Sequence, residues 1–371
     1  PTPAVAYLTR KYEADAGIVI SASHNSAEFN GIKIFNSNGY KLSDEIEDRI
    51  EALIRGEGGE IDLPTGDAVG VVTKCDTALA DYMEFAKGTI DCDLSGMKIA
   101  IDCANGASFK SSVEVIVDLG AEAFVVHNHP NGTNINLNCG STHTKAFQEY
   151  VKNIDVDIGL SFDGDADRLL VVDEKGNLID GDKIMFICAN YLREKGLLEK
   201  DTLVTTVMTN LGLVLAAKEQ GIKLVQTKVG DRYVLEEMLK SGYVLGGEQS
   251  GHIIFLDYNT TGDGLCTALQ LLSIVKKTGK KLSELAEVFQ TLPQVTVNAK
   301  VQNSKKEEYQ SDKVIMSEIA DLEKEFEGKG RVLIRPSGTE PCVRVMLEGD
   351  DLSLITQKAN YLAKLIEARL G

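Results

Sequence analysis

The chain is short of positive charge. Its 39 lysines and arginines face 56 aspartates and glutamates, a formal balance of −17 over 371 residues. Nucleic acid and anionic membrane surfaces demand basic stripes, so this deficit argues against both as partners. Taken at face value it also argues against a phosphorylated substrate. No run of about 18 apolar residues exists to span a bilayer. No basic-then-apolar leader precedes Pro1, so no signal peptide is expected. The seven cysteines (Cys75, Cys92, Cys103, Cys139, Cys188, Cys266 and Cys342) are odd in number, scattered and without a C-x-x-C pair. That pattern predicts reduced thiols in a cytoplasm rather than a disulfide framework or structural zinc. Tryptophan is absent, which removes an optical probe and says nothing of function.

What is present is ordinary for a soluble globular protein: 43% apolar and 26% charged residues. The length predicts about two to three domains and suffices to bury several cores. Strand-like apolar runs (17–20, 98–101, 157–162, 203–207, 243–245) alternate with amphipathic helical stretches (44–53, 110–119, 183–194). Such alternation predicts an α/β architecture, with largely parallel sheets covered by helices. The end differs, with strand-like 294–301, 331–334 and 341–347 before an amphipathic helix over 352–370, which reads as a smaller α+β unit. Residues 56–70 read as a surface loop and 89–96 as a linker, while 180–182 and 291–293 close further units.

Four loops could carry chemistry. Ser21-Ala-Ser-His-Asn25 follows the first strand-like run. Hydroxyls and free amides at a strand's carboxyl end suit ligand binding in open α/β sheets, though the same residues suit a capping turn. A Ser–His hydrolase is disfavoured: adjacent side chains in an extended segment point apart, and no G-x-S-x-G elbow occurs. Lys33 follows in Asn30-Gly-Ile-Lys33.

Phe162-Asp-Gly-Asp-Ala-Asp-Arg168 alternates Asp163, Asp165 and Asp167 after an apolar run. Three converging carboxylates repel unless a cation sits among them, so a hard divalent ion is the economical reading. An EF-hand loop would put its final glutamate at Glu174, but Arg168 stands where that loop needs glycine, and the flanks read as strands. A haloacid-dehalogenase-type aspartyl nucleophile also follows a strand, but its motif carries Thr or Val where Asp167 stands.

Gly246-Gly-Glu-Gln-Ser-Gly-His252 precedes the strand-like 253–255. Its glycines admit a close ligand, and Glu248, Ser250 and His252 would share a side if extended. Their donors and acceptors suit sugar hydroxyls; a glycine-rich hairpin entrance would look the same. Upstream, Lys228-Val-Gly-Asp-Arg232 adds two cations. Last, Arg335-Pro-Ser-Gly-Thr-Glu-Pro341 with Arg344 offers guanidinium forks, hydroxyls and amides, the chemistry of a phosphate or carboxylate cradle. A hairpin with Pro and Gly as turn formers is the plainer alternative. No G-x-x-x-x-G-K-[ST] and no complete G-x-G-x-x-G occurs, so nucleoside-triphosphate and dinucleotide folds lack support.

Together and in this order, the four loops resemble the α-D-phosphohexomutase superfamily. The resemblance runs the length of the chain, through phrases such as Asp102-Cys-Ala-Asn-Gly-Ala107 and Val229-Gly-Asp-Arg-Tyr233. It implies three α/β units with mixed sheets around a cleft and a smaller α+β C-terminal domain, divided as 1–88, 89–182, 183–293 and 294–371. It implies Ser23 as a phosphoserine that hands its phosphoryl group to a small phosphosugar through a sugar bisphosphate. One Mg²⁺ would be held by Asp163, Asp165 and Asp167 with a phosphate oxygen of Ser23. Glu248 and Ser250, with Lys228 and Arg232, would bind the sugar, while Arg335, Ser337, Gly338, Thr339 and Arg344 clamp the non-reacting phosphate. Lys33 and His252 match acid/base positions, and His24, Asn25 and Arg168 complete the site. Gln249 points to the amino-sugar branch, with phosphomannomutase/phosphoglucomutase chemistry as the alternative. A homodimer is compatible with this reading.

Members of that superfamily begin several dozen residues ahead of the position that Pro1 matches, with a Phe-Gly-Thr-Asp-Gly-type segment and an active-site arginine. Nothing here matches it. The resemblance then implies a first domain that exposes a sheet edge, an Mg²⁺ site poorly ordered on the serine side, and slow or absent turnover. A non-catalytic sugar-phosphate binder would follow from the same departure. The net charge also changes meaning. On this resemblance three acids would be masked by a divalent ion, and the cations that matter, Arg335 and Arg344, would be concentrated in one cradle.

Overall fold

Aliphatic and β-branched runs ended by glycine or aspartate become strands, and the amphipathic stretches between them become helices that cover the sheets. The computed structural model describes residues 1–337 and 340–371. They divide into two compact units, residues 1–208 with 221–288 and residues 209–220 with 289–371.

The first unit contains three sheets. β1 (Ala16–Ser21) and β2 (Gly31–Asn36) form a two-stranded antiparallel sheet in which Ile18 faces Ile34 and Ile20 faces Ile32. The helix Thr2–Lys11 packs against it so closely at Gly17 that a Cβ there would lie 2.1 Å from Thr9 Oγ1. Period-two alternation leaves Ile18, Ile20 and Ile32 exposed.

The second sheet runs β4-β3-β5-β6-β7. β3 (Lys98–Asp102) is parallel to β4 (Glu122–Val126) and β5 (Ile158–Phe162), while β6 (Leu169–Asp173) and β7 (Leu178–Ile179) continue it antiparallel. Every residue of β5 and β6 is buried, as continuous apolar runs covered on both faces should be. In the third sheet β8 (Thr202–Thr206) is parallel to β9 (Lys223–Thr227) and to β10 (Leu245–Gly247), and β11 (Ile253–Phe255) closes the other edge antiparallel. The sheets are therefore mixed, with a parallel core and an antiparallel hairpin at one side. Those hairpin turns, β5–β6 and β10–β11, are the aspartate loop and the glycine-rich loop. An isolated bridge between Arg168 and His252 ties them together. β10 begins at Leu245, so the expected strand at 243–245 starts later, after the left-handed turn at Gly242.

The second unit is the α+β piece. β12 (Gln294–Lys300), β14 (Cys342–Gly349) and β13 (Gly330–Pro336) lie in that order, all antiparallel. The helix Leu352–Leu370 buries Ile355, Ala359, Leu362, Ala363, Ile366 and Leu370, an apolar stripe at helical spacing. Asp351 caps it by accepting from the amides of Ser353 and Leu354. The helix Leu211–Gln220 is tied to this unit through Asn210, whose side chain donates to the Leu292 carbonyl (2.9 Å) and accepts from its amide (3.0 Å). No helix among the described residues is long and apolar enough to cross a membrane, and all seven cysteines are free thiols.

One buried ion pair holds the second unit's sheet. Glu348 on β14 is fully buried opposite Arg331 on β13, whose guanidinium donates at 2.5 and 2.8 Å. Burial pushes the Glu348 carboxyl up, and the Arg331 charge opposes that push. Arg331→Ala should therefore cost about 3–5 kcal/mol, measured by denaturant unfolding, and Glu348→Gln in that background should recover part of it. The deficit should shrink as pH falls, because a folded-state pKa above the unfolded value means that protonation favours the folded chain.

Candidate active site

The aspartate loop is a turn that only small residues permit. A Cβ on Gly164 would lie 2.4 Å from the Ser23 carbonyl, so glycine is what lets the β5–β6 turn touch the serine loop. Ser23 sits in the left-handed region (φ 55°) and its Oγ donates to Asp165 at 3.2 Å. Asn136 holds the loop from behind, its Nδ2 donating to the carbonyls of Ser23 (2.8 Å) and Asn25 (2.7 Å). Asp163, Asp165 and Asp167 are all buried, and one oxygen of each lies within 4.8 Å of the others. Lys33, on β2, reaches Asp165 at 2.5 Å, Asp167 at 3.0 Å and Ser23 Oγ at 3.5 Å. Thr2 donates to Asp165 at 2.7 Å, and the Arg168 amide to Asp163 at 3.1 Å.

The electrostatics show an unmet demand for cation. Burial, with Asp167 and Asp165 adding like charge, pushes the Asp163 carboxyl well above the carboxylate range. Burial would raise Asp165 too, but the charge and hydrogen bond of Lys33, with the Thr2 hydroxyl, hold it at about 2. Burial lowers Lys33, and the two carboxylates overcome it, so the ammonium is held more firmly than usual. His24 is held below the usual imidazole range, by burial first and then by Arg168. With all three carboxylates ionised, the Lys33 ammonium bonds only Asp165 and Asp167 and leaves Asp163 without a cationic hydrogen-bond partner among the described residues. Asp163 Oδ2 and Asp167 Oδ1 are buried with no hydrogen-bond partner. An all-oxygen donor set with that charge fits a hard divalent cation such as Mg²⁺.

The glycine-rich loop adds His252, buried with its ring against Gly262, where a Cβ would lie 2.5 Å away. Its Nε2 is 3.5 Å from Asp231 and 3.9 Å from Asp167. Asp231 in turn pairs with Lys41. Burial would raise Asp231, but His252 and Lys41 outweigh it and hold the carboxyl well below its usual range. Glu248 accepts from the Gly230 amide at 3.1 Å, which joins this loop to the Lys228–Arg232 turn, and Ser250 is exposed. Arg232 is engaged with Asp44 and Glu236, and Lys228 lies over the Tyr233 ring at 5.9 Å. Gln249 turns inward instead, donating to Asp180 at 3.2 Å while its carbonyl accepts from the Gly181 amide. Its side chain buttresses the loop, so any influence on substrate choice is indirect.

In the second unit, Arg335 and Arg344 stand directly opposite each other on β13 and β14. Like charges in that position destabilise a sheet. Burial and the neighbouring Arg344 lower the Arg335 pKa, while Arg344 is raised by its 2.7 Å bond to Glu340. Ser337 is buried, its Oγ accepting from the Glu340 amide, and Lys306 donates to the carbonyls of Ser337 (2.6 Å) and Glu340 (3.4 Å). Gly338 and Thr339 lie outside the described residues.

The structure thus brings Ser23, Lys33, the three aspartates, Arg168 and His252 together in one unit. It adds Thr2, Lys41, Asn136 and Asp231, which sequence reading missed. Asp231 lay inside a recognised phrase; the other three sit in no motif.

The chain matches the four parts of one family: phosphoglucomutase/phosphomannomutase α/β/α domain I over residues 1–59, domain II over 80–176, domain III over 180–292, and the C-terminal domain over 297–365. It is 60% identical over 371 residues to the phosphoglucosamine mutase of Ruminiclostridium cellulolyticum, spanning all of this chain and 83% of that one. It is 62% identical over 369 residues to the phosphoglucosamine mutase of Clostridium acetobutylicum, covering 82% of it. Among solved structures, N-acetylphosphoglucosamine mutase of Aspergillus fumigatus, in complex with GlcNAc-6P and magnesium, shares the fold with a TM-score of 0.77 at 20% identity, covering 100% of this chain and 93% of that one. A phosphoglucomutase/phosphomannomutase family protein from Burkholderia thailandensis gives 0.75 at 23% identity, over 95% and 76%.

Lys33→Met keeps the packed stem and removes the ammonium. Without divalent ion this variant should lose about 3 kcal/mol of stability. Saturating Mg²⁺ should then restore more to it than it adds to the parent chain in thermal unfolding. Equal Mg²⁺ shifts in the two proteins would put Lys33 outside the charge balance of the triplet.

Proposed function

The chain belongs to the phosphoglucomutase/phosphomannomutase family, and from that premise we propose that it interconverts glucosamine 6-phosphate and glucosamine 1-phosphate with Ser23 as the phosphoryl carrier. It is an isomerase of the phosphohexomutase type, with a divalent metal cofactor. The amino-sugar substrate is supported by the whole-chain identity to phosphoglucosamine mutases. The observation that carries the mechanism is the Ser23 hydroxyl at 3.2 Å from Asp165 and 3.5 Å from Lys33, at the rim of the buried aspartates.

Oxygens O6 and O1 of one sugar cannot exchange a phosphoryl group directly, so a carrier is needed. Phosphoserine at position 23 gives its phosphoryl group to O1: the bond from phosphorus to Oγ breaks, the bond to O1 forms, and the O1 proton leaves to a base. The bisphosphate turns over, and Ser23 Oγ then takes the O6 phosphoryl group by the reverse exchange. His252 and Lys33 are the groups we assign to proton holding. Glu248 and Ser250, with the Lys228–Arg232 turn, bind sugar hydroxyls. Arg335, Ser337, Gly338, Thr339 and Arg344 form the cradle for the phosphate that is not being transferred, and His24, Asn25 and Arg168 shape the reacting side. Asp163, Asp165 and Asp167 would hold Mg²⁺, which when bound neutralises charge on the transferring phosphoryl oxygens.

Division into four domains at about residues 88, 182 and 293 fits these roles, each domain supplying one loop. Seven free thiols support a cytoplasmic location. The product is the class of amino-sugar phosphate from which UDP-N-acetylglucosamine and cell-wall polymers are made.

Intact-mass and peptide analysis should find phosphate on Ser23, and Ser23→Ala should lower mutase turnover by at least about 10³-fold. Glucosamine 6-phosphate should be turned over in preference to glucose or mannose 6-phosphate. Preference for either of the latter would move the chain to phosphoglucomutase or phosphomannomutase chemistry. Unmodified Ser23 with rapid release of inorganic phosphate would point to a phosphatase using Asp163.

A further inference from the structure

Outside the aspartate triplet, the second sheet of the first unit gathers a different set of ligand-type side chains. Asp102 ends β3, His127 directly follows β4, and Cys139 comes from the long loop before the helix Lys145–Lys152. One ligand-type atom of each lies within 4.8 Å of the others. β3 and β4 are parallel neighbours, with Asp102 in register with Val126, so both strands deliver these residues to the same end of the sheet.

Asp102 is fully buried, its two oxygens accepting from the amides of Ala104 and Gly140 at 2.9 Å each. Each carboxylate oxygen has capacity beyond one amide. His127 Nδ1 lies 3.1 Å from Asp102 Oδ1, while its side chain remains 39% exposed. Cys139 is 1% exposed, and its only hydrogen-bond contact among the described residues is the weak 3.9 Å approach of Asn105 Nδ2.

We propose that Asp102, His127 and Cys139 form a second metal site, for a thiophilic divalent ion of the zinc class, with water at the open position beside His127. One carboxylate oxygen, one imidazole nitrogen and one thiolate make a borderline-soft tripod that zinc-class ions favour and Mg²⁺ does not. It shares no residue with the triplet. Binding forms a bond from the ion to Cys139 Sγ and releases the thiol proton to water. Without an ion the thiol stays protonated, since burial and the Asp102 charge push it up to about 12; a bound cation reverses that bias.

The role is structural. Ala104, Asn105, His127, Asn136 and Asn138 all have left-handed backbones, so the two connections, after β3 and after β4, are held in conformations that need outside support. The Asn105 amide donates to the His127 carbonyl (2.6 Å) and the Asn136 amide to the Ala104 carbonyl (2.9 Å). Asn136 is also the residue that grips the Ser23 loop. An ion here clamps the backing of that loop. Sequence reading argued against structural zinc because the cysteines are odd in number and scattered without a C-x-x-C pair, and a site built from Asp102 and two well-separated positions of the 127–144 connection leaves no such pattern.

The test is a Co²⁺ titration of the full chain, stripped with chelator and kept in excess Mg²⁺ to fill the triplet. One equivalent should produce a thiolate-to-cobalt charge-transfer band. Cys139→Ser and His127→Ala should each abolish it; His127 is partly exposed and outside the core, so that variant should fold, as far-UV circular dichroism would verify. Cys75→Ser, which removes the exposed cysteine, and Asp163→Asn should both keep the band. Zn²⁺ should bleach it and raise the thermal midpoint of the parent chain but not of His127→Ala. Absence of the band, its survival in Cys139→Ser, or its loss in Cys75→Ser would overturn the proposal.

Discussion

Three carboxylates sealed into one hairpin turn are the constraint around which the first unit is organised. Removing an ion from water costs several kcal/mol even after relaxation, and Asp163, Asp165 and Asp167 are nearly solvent-free together. The chain offsets this locally. Lys33 bonds two of them, Thr2 and Ser23 donate to Asp165, and the Arg168 amide donates to Asp163. What remains is excess negative charge when all three are ionised, with two orphaned oxygens, a demand that a divalent ion would meet. The serine stands at this spot for the same reason: the glycine that allows the turn to be so tight also admits the Ser23 carbonyl.

The charge pattern continues outward from the triplet. Lys33 faces Asp165 and Asp167, His252 lies between Asp167 and Asp231, and Asp231 faces Lys41. The cations at the two ends of this row, Lys33 and Lys41, each lower the cost of burying the carboxylates beside them. The arrangement also explains how a chain with a balance of −17 can handle phosphate. Net charge governs long-range encounter, whereas the site works at hydrogen-bond distance, where local order of sign decides.

Much of this was legible in the sequence, for physical reasons that can be named. The helix Leu352–Leu370 has a clean apolar stripe and an aspartate cap, and the structure returns it with those bounds. The aspartate and glycine-rich loops were readable because both are hairpin turns, whose residue types are set by local backbone geometry. The illegible part depends on distance along the chain. Thr2 meets Asp165 across 163 residues and Asn136 meets Ser23 across 113, and no periodicity encodes such pairings. Gln249 shows the opposite failure: it belongs to a recognisable motif, but its side chain is engaged with Asp180. Motif membership identified the loop, and only packing assigned the direction of each residue.

The second unit shows how stability and ligand demand share one sheet. Arg331 and Arg335 on β13 are four residues apart, as are Glu348 and Arg344 on β14, so the two cross-strand pairs lie on the same face. At one end the pair is Arg331 with Glu348, buried and compensated. At the other it is Arg335 with Arg344, like charges whose only carboxylate relief among the described residues is Glu340 on the Arg344 side. The compensated end anchors the strands at the register that forces the two arginines together. An anion at the open end therefore gains attraction to both guanidinium groups and also removes their mutual repulsion. The strongly acidic chain thus concentrates two cations at one end of this sheet.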